Sequence, residues 1–452
     1  MKGRRPLLLS IMFILVAAAR GTAQGPPEVP DTHLEASAKE FVQLLSKGQY
    51  ERAAKNFDDV MTRVMPPAKL EEVWKKIAEA VGPFQSQRRS RMEKVAKYDV
   101  VYVTCDFEKL AVDIKVVFDS KGKITGLFFQ RAQLATDYSP PSYAELDSFR
   151  ESELTIGTAP WTLPATLTLP KDRGPFPCVV LVHGSGPRDR DETVGANKPF
   201  KDLAWGLATR GIAVLRYDKR TYAHRAAMAQ SARSLTVKEE VIDDVFTAVG
   251  AMKQHPAIDP DRIFVLGHSL AGYLAPRMAL RDRDGSLIAG YVILAGNTRP
   301  TEELLWDQTN YISRLDGSVS EAEAKQLEGL KKRIERVRDP GLSKDVPPGE
   351  LLGAPASYWR DLQGYRPAAL AAELSQPMLI LQGERDYQVT MKDFEGWARA
   401  LSSRDNVVLK SYPKSNHLFI EGEGLSTPAE YQVAGHVAQE VIDDIASWIK
   451  GH

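Results

Sequence analysis

Cysteine is nearly absent. Two cysteines in 452 residues cannot build a disulfide framework or a cysteine-based zinc site. Histidine is sparse too, with eight residues, no HExxH and no paired spacing that would gather a metal. An excess of one charge is also missing. Fifty-nine basic residues balance 59 acidic ones, so no bulk basicity argues for nucleic acid. Only one long apolar run occurs, near the N-terminus. What remains is 43% hydrophobic and 26% charged, with 28 prolines and 32 glycines. That composition excludes a disordered, collagen-like or coiled-coil chain, and the length suits two or three globular domains.

The apolar run extends from Leu7 to Ala19, broken only by Ser10. Lys2, Arg4 and Arg5 precede it, and the small residues Gly21-Thr22-Ala23 follow. This order is that of a cleavable signal peptide over residues 1–23. About 13 apolar residues fall short of the roughly 20 that a membrane span needs. The expectation is a secreted or periplasmic protein with no lipid-anchor cysteine and no stable membrane insertion after cleavage. Cys105 and Cys178 lie in strand-like segments of different domains, so two separate buried thiols are expected.

Residues 33 to about 80 carry apolar side chains at three- and four-residue steps (Leu34, Ala38, Phe41, Val42, Leu45), which predicts helices. Beyond Gly82-Pro83 the pattern alternates. Tyr98–Phe107, Leu110–Phe118 and Ile124–Phe129 predict antiparallel strands, with a turn at Asp119-Ser-Lys-Gly. Residues 30–135 therefore form a small α+β domain, and 136–152, with Tyr138-Ser-Pro-Pro-Ser, a linker. From 153 to 452 the pattern is α/β. After a hairpin from Leu154 to Leu169, bent at Leu163-Pro164, come short apolar runs: Cys178–Val182, Ile212–Tyr217, Ile263–Leu266, Tyr291–Ala295, Met378–Gln382 and Val407–Tyr412. Helical segments separate most of them, which predicts a mostly parallel, doubly wound sheet. The exception is residues 297–375, rich in helical pattern and bearing Trp306, Tyr311, Tyr358 and Trp359. An insertion of that size predicts a helical lid over the C-terminal edge of the sheet.

The strand ending at Leu266 runs into Gly267-His-Ser-Leu-Ala-Gly and then a helical stretch. Strand, sharp turn with a central serine, helix is the arrangement of a nucleophile elbow, and it nominates Ser269. Ala271 stands where a second glycine is usual. A serine hydroxyl needs a base, and the base needs an orienting acid. Asp386, in Gly383-Glu-Arg-Asp, and His417, in Ser415-Asn-His, each stand in the loop after a predicted strand. They follow Ser269 by 117 residues and then 31, in the order serine, acid, histidine. Two backbone N–H groups should hold the developing oxyanion: that of Leu270, after the nucleophile, and that of Ser185, in the loop His183-Gly-Ser-Gly-Pro.

These motifs, with Arg216-Tyr-Asp-Lys-Arg, resemble those of bacterial exported carboxylesterases of the α/β-hydrolase superfamily. Residues 30–135 are more loosely similar to the NTF2-like or cystatin-like domain ahead of some of them. The resemblance implies hydrolysis of a small-molecule carboxylic ester through an acyl-enzyme, with no metal or organic cofactor. Cleavage of peptides or amides uses the same triad, and a non-catalytic binding protein on the scaffold is the alternative of another class. The N-terminal domain is a candidate binding module for a polymer or partner.

The remaining chemistry-bearing residues have plainer readings. His268 adjoins the nucleophile, but neighbours on an elbow point apart, so it is expected to be structural or to line the pocket. Glu384 is a weaker alternative to Asp386. The clusters Arg188-Asp-Arg-Asp-Glu and Asp218-Lys-Arg read as loop supports. His183, Gly184, Tyr222 and Trp306 are further pocket candidates, with His224 and Tyr358 behind them.

Overall fold

A computed structural model describes residues 32–95, 98–108, 110–132, 138–230 and 234–452. The expected signal peptide, residues 1–23, lies outside them. The chain divides into two compact units, Met1–Leu134 and Ala135–His452.

In the first unit, helices Thr32–Ser46 and Pro67–Val81 precede an antiparallel meander of four strands, β1 (Phe84–Val95), β2 (Tyr98–Phe107), β3 (Ala111–Phe118) and β4 (Ile124–Arg131). The helix residues Leu34, Ala38, Phe41, Val42 and Leu45 meet Val101, Val103, Cys105 and Ile114 in one core. The sequence predicts three strands, and β1 is the addition. Its Gln-Ser-Gln-Arg-Arg-Ser-Arg run has no alternation to betray it, because an edge strand with little buried surface needs none. The predicted turn is present: Asp119 Oδ1 accepts from the N–H groups of Lys121 (2.8 Å) and Lys123 (2.9 Å).

The second unit is built on eight strands: β5 (Phe149–Ile156), β6 (Leu163–Pro170), β7 (Phe176–Val182), β8 (Ala213–Tyr217), β9 (Ile258–His268), β10 (Gly290–Leu294), β11 (Met378–Gly383) and β12 (Val407–Tyr412). Their order is β12-β11-β10-β9-β7-β8-β6-β5. Strands β7 to β12 pair in parallel, whereas β5–β6 and β6–β8 are antiparallel. Alternate side chains enter two apolar layers, as a strand's period of two requires. Cys178, Val180, Ile263 and Val265 face one layer, while Val179, Leu181, Phe264 and Leu266 face the other. Both cysteines are buried and free.

Two expectations need correction. The segment from Tyr138 is part of the second unit, not a free linker. The Tyr143 hydroxyl donates to the Val437 carbonyl (2.8 Å), and β5 begins at Phe149. Proline and serine mark a break in regular structure, and side-chain anchors can still bind such a stretch to its domain. The hairpin bend also falls earlier than Leu163-Pro164, which opens β6.

Between β10 and β11 stand helices Thr301–Ile312, Glu321–Arg338, Ala356–Leu362 and Pro367–Ala372. The second is started by a capping box, in which the Ser320 N–H donates to Glu323 Oε2 (2.8 Å). This insertion is seated on helix Leu270–Arg281. The Tyr365 hydroxyl donates to the Tyr273 carbonyl (2.9 Å), and Arg277 pairs with Asp361 (3.0 Å). Among the described residues, no helix is long and apolar enough to cross a membrane.

Candidate active site

The strand order reverses beside β7 and β9, and loops diverging from such a point leave a crevice at the strands' carboxyl ends. The loop after β7 carries His183-Gly-Ser-Gly-Pro, and β9 ends at His268, directly before Ser269.

Ser269 has φ 53° and ψ −112°, a left-handed conformation costly for any residue but glycine. Its neighbours enforce it. The Ser269 N–H donates to the Leu294 carbonyl (2.8 Å), and its carbonyl accepts from the Tyr273 N–H (2.9 Å). A Cβ on Gly267 would come within 2.6 Å of the Ala271 carbonyl carbon. One on Gly272 would approach Gly296 Cα at 3.0 Å. The turn therefore needs its small residues at 267 and 272. Ala271 keeps its methyl fully buried without displacing the turn.

His417 Nε2 lies 3.2 Å from Ser269 Oγ, and His417 Nδ1 lies 2.6 Å from Asp386 Oδ2. Asp386 is held on every side. Oδ1 accepts from the N–H groups of Gln388 (2.7 Å) and Val389 (3.0 Å), and Oδ2 from Gln382 Nε2 (3.2 Å). A Cβ on Gly383 would fall 2.5 Å from the Ser415 carbonyl, so glycine lets the acid loop and the histidine loop touch. Glu384, by contrast, is exposed and accepts from the Ser411 hydroxyl (2.8 Å).

The β7 loop passes over Ser269. A Cβ on Gly184 would lie 3.1 Å from Ser269 Cβ. The Gly184 N–H is already committed to Glu192 Oε1 (2.6 Å). Ser185 is the next residue, on the exposed rim. Leu270 opens its helix, where backbone N–H groups lack an acceptor one turn behind.

The other candidates are placed as follows. His268 is 6% exposed and engaged at both ring nitrogens, with Glu192 Oε2 2.9 Å from Nδ1 and the His417 carbonyl 2.9 Å from Nε2. Burial works against charge on His268, but Glu192 outweighs it and raises the pKa. Burial likewise opposes charge on Glu192, and His268 overcomes it, holding the carboxyl at about 2. His183 does not line an open pocket. It is 1% exposed, its ring 5.0 Å from that of Phe200 and 5.4 Å from that of Tyr217. Tyr222 stands at the surface, its ring 4.6 Å from the Arg225 guanidinium. Trp306 is half-buried on the first lid helix. Tyr358 and Trp359 are buried in the core beside the nucleophile helix. Sequence reasoning read the clusters holding Glu192 and Lys219 as loop supports; it missed Gln382 and Glu240, which no motif marked.

Burial pushes the His183 pKa down to about 4, from an ordinary 6.5. The ring is thus neutral in the folded state down to about pH 4, and between there and 6.5 unfolding takes up a proton. Its contribution is complete above pH 6.5 and fades as the pH falls towards 4, a loss of ~3 kcal/mol. Denaturant unfolding between pH 7.5 and 4.5 should show wild type losing more stability than His183→Leu. Parallel losses would contradict it.

Comparison with known proteins accords with this architecture. The chain belongs to the alpha/beta hydrolase family, which residues 179–431 match. Residues 38–127 match a protein of unknown function, DUF3887. Esterase EstD of Thermotoga maritima is 40% identical over 411 residues, covering 90% of this chain and 93% of EstD. Est1E from Butyrivibrio proteoclasticus is 16% identical at a TM-score of 0.42, covering 66% of this chain and 99% of Est1E. Dipeptidyl peptidase 4 of Porphyromonas gingivalis is 16% identical at 0.42, covering 80% of this chain and 43% of its own.

Proposed function

We propose that this protein is an exported serine esterase that cleaves carboxylic esters of short to medium acyl chain through an acyl-enzyme. One observation carries the reading: Ser269, His417 and Asp386 stand in line at 3.2 and 2.6 Å. The 40% identity to Esterase EstD supports the ester as the substrate class. Ser269 Oγ attacks the ester carbonyl as His417 Nε2 takes its proton. Asp386 holds His417 in the tautomer that leaves Nε2 free to accept, and stabilises the imidazolium. The N–H groups of Leu270 and Ser185 hold the tetrahedral oxyanion. Collapse expels the alcohol, which takes the proton from His417. Water then attacks the acyl-enzyme by the same route and releases the acid and Ser269.

Chain length follows from the roof. Tyr311 of the first lid helix stacks on Tyr387, beside the acid, with rings 5.1 Å apart and 7° from parallel. Its hydroxyl donates to the Ser426 carbonyl (2.8 Å). A lid pinned this way limits the acyl cavity. Each buried methylene adds up to ~0.8 kcal/mol until the cavity is full, after which overpacking costs more than transfer gains. The test takes the mature chain, which export predicts to begin at Gln24, through p-nitrophenyl esters from acetate to palmitate. We expect kcat/KM to peak between about two and eight acyl carbons, a range set by ordinary pocket volumes. A maximum at palmitate would refute the short-chain reading.

A further inference from the structure

Three charged side chains beneath the β7 loop take no part in the triad, and all three are buried: Glu192 at 2% exposure, Lys219 at 2% and Glu240 at 7%. Their contacts converge on one residue. Glu192 Oε1 accepts the Gly184 N–H (2.6 Å), and Lys219 Nζ donates to the Gly184 carbonyl (2.8 Å). Both peptide planes flanking Gly184 are therefore pinned. Lys219 Nζ also donates to Glu240 Oε1 (2.5 Å), and the Lys219 N–H donates to the Arg188 carbonyl (3.1 Å). Glu240 lies in a π-helical turn, Lys238–Ile242, a distortion frequent at functional sites. The lid comes close to it too: burial raises the Tyr358 pKa, and the nearby Glu240 carboxylate raises it further.

The Gly184 carbonyl and the Ser185 N–H belong to the same planar peptide, which is trans, so they point in opposite directions. Holding the carbonyl on Lys219 fixes the direction of the Ser185 N–H. The bond acts electronically as well. A cation on an amide oxygen draws density from the nitrogen and strengthens its N–H as a donor, the cooperativity of linked hydrogen bonds. We propose that Lys219, neutralised by Glu240 and aided by Glu192, is the positioning residue of the oxyanion hole, aiming and strengthening the Ser185 N–H. The proposal rests on the Ser269 reading given above. It also accounts for a buried lysine–glutamate pair where apolar residues would cost less, since such pairs are weak contributors to stability.

The test is Lys219→Met/Glu240→Gln, which removes both charges together and leaves neither buried alone. On p-nitrophenyl butyrate, kcat should fall ~10- to 100-fold, up to the loss seen when an oxyanion donor is removed, with KM within about threefold. An alkyl trifluoromethyl ketone gives the second readout. Ser269 Oγ adds to its carbonyl, the serine proton passes to His417, and the adduct oxygen occupies the oxyanion hole. Its Ki should weaken by the same factor as kcat/KM, a match that mere loosening of the fold would not produce. If the double variant does not fold, Lys219→Arg decides. It keeps a charge opposite Glu240 but presents a planar fork, not a single point donor, to Gly184. It should fold with kcat reduced at constant KM. Wild-type kcat in a folded variant, or a rate loss without matched loss of ketone affinity, overturns the proposal. Ser269→Ala in the same assay separates the two readings. If it retains activity, the triad fails; if it is inactive beside a fully active Lys219 variant, only the positioning role fails.

Discussion

Ser269→Ala is expected to lose ~10³-fold or more in kcat on a p-nitrophenyl ester while remaining folded, the residual rate coming from oxyanion stabilisation and binding alone. The fold should survive because the elbow does not depend on the hydroxyl. Backbone bonds to Leu294 and Tyr273 hold Ser269 at φ 53°, and alanine meets the same backbone cost as serine there. Among the described residues, the only side-chain hydrogen bond given up is the 3.2 Å contact to His417. Thermal unfolding should therefore match wild type. Labelling by a fluorophosphonate should disappear with the rate, since both need the same oxygen. Wild-type turnover in the alanine variant would remove Ser269 from the mechanism.

Asp386→Asn should be nearly as damaging, by ~10⁴-fold in kcat, the scale of a triad histidine held in the wrong tautomer. The contacts explain why an isosteric amide fails. Oδ1 is committed to the N–H groups of Gln388 and Val389, so an asparagine keeps its oxygen there. Its NH₂ is then turned towards His417 Nδ1 and the Gln382 amide, which are both served by an acceptor in the wild type. His417 can satisfy that NH₂ only by accepting at Nδ1, which places its proton on Nε2, facing Ser269. A base already protonated towards its nucleophile cannot take the serine proton. Glu384→Gln should change kcat less than about threefold, because Glu384 is exposed and bound to the Ser411 hydroxyl, away from the histidine. Steady-state kinetics of the two variants is the check, and the reverse ranking would transfer the acid's role to Glu384.

The two predictions rest on residues that could be named before any coordinates, and the reason is local. A buried parallel strand reads as a short apolar run, and the residues just beyond it stand on one edge of the sheet. Ser269, Asp386 and His417 each follow such a run, so naming the strands already gathered them. Ala271 showed the limit of motif reading. The clash that matters is at Gly267 and Gly272, and it depends on how closely the helix returns past the strand.

Where local pattern was weak, the sequence was silent. Strand β1 is polar from Gln85 to Arg91, because an edge strand with little surface to bury has no need of alternation. The Tyr138 segment, carrying the breaks of a linker, is held by contacts to residues hundreds of positions away, such as Tyr143 on Val437.

The sequence by itself determined the sheet's buried strands, the placing of Ser269, Asp386 and His417 just beyond three of them, and the loop that passes over Ser269. Each of these is written in a few consecutive residues. Only the tertiary structure decided what the charged clusters do. Glu192 and Lys219 read alike as members of loop-supporting charge clusters, and nothing in their spacing says which group each one holds. Folding brings Gly184, Glu192, Lys219 and Glu240 together from separate segments. Once buried, each charge must find a partner, and the backbone of Gly184 is one that both Glu192 and Lys219 can reach.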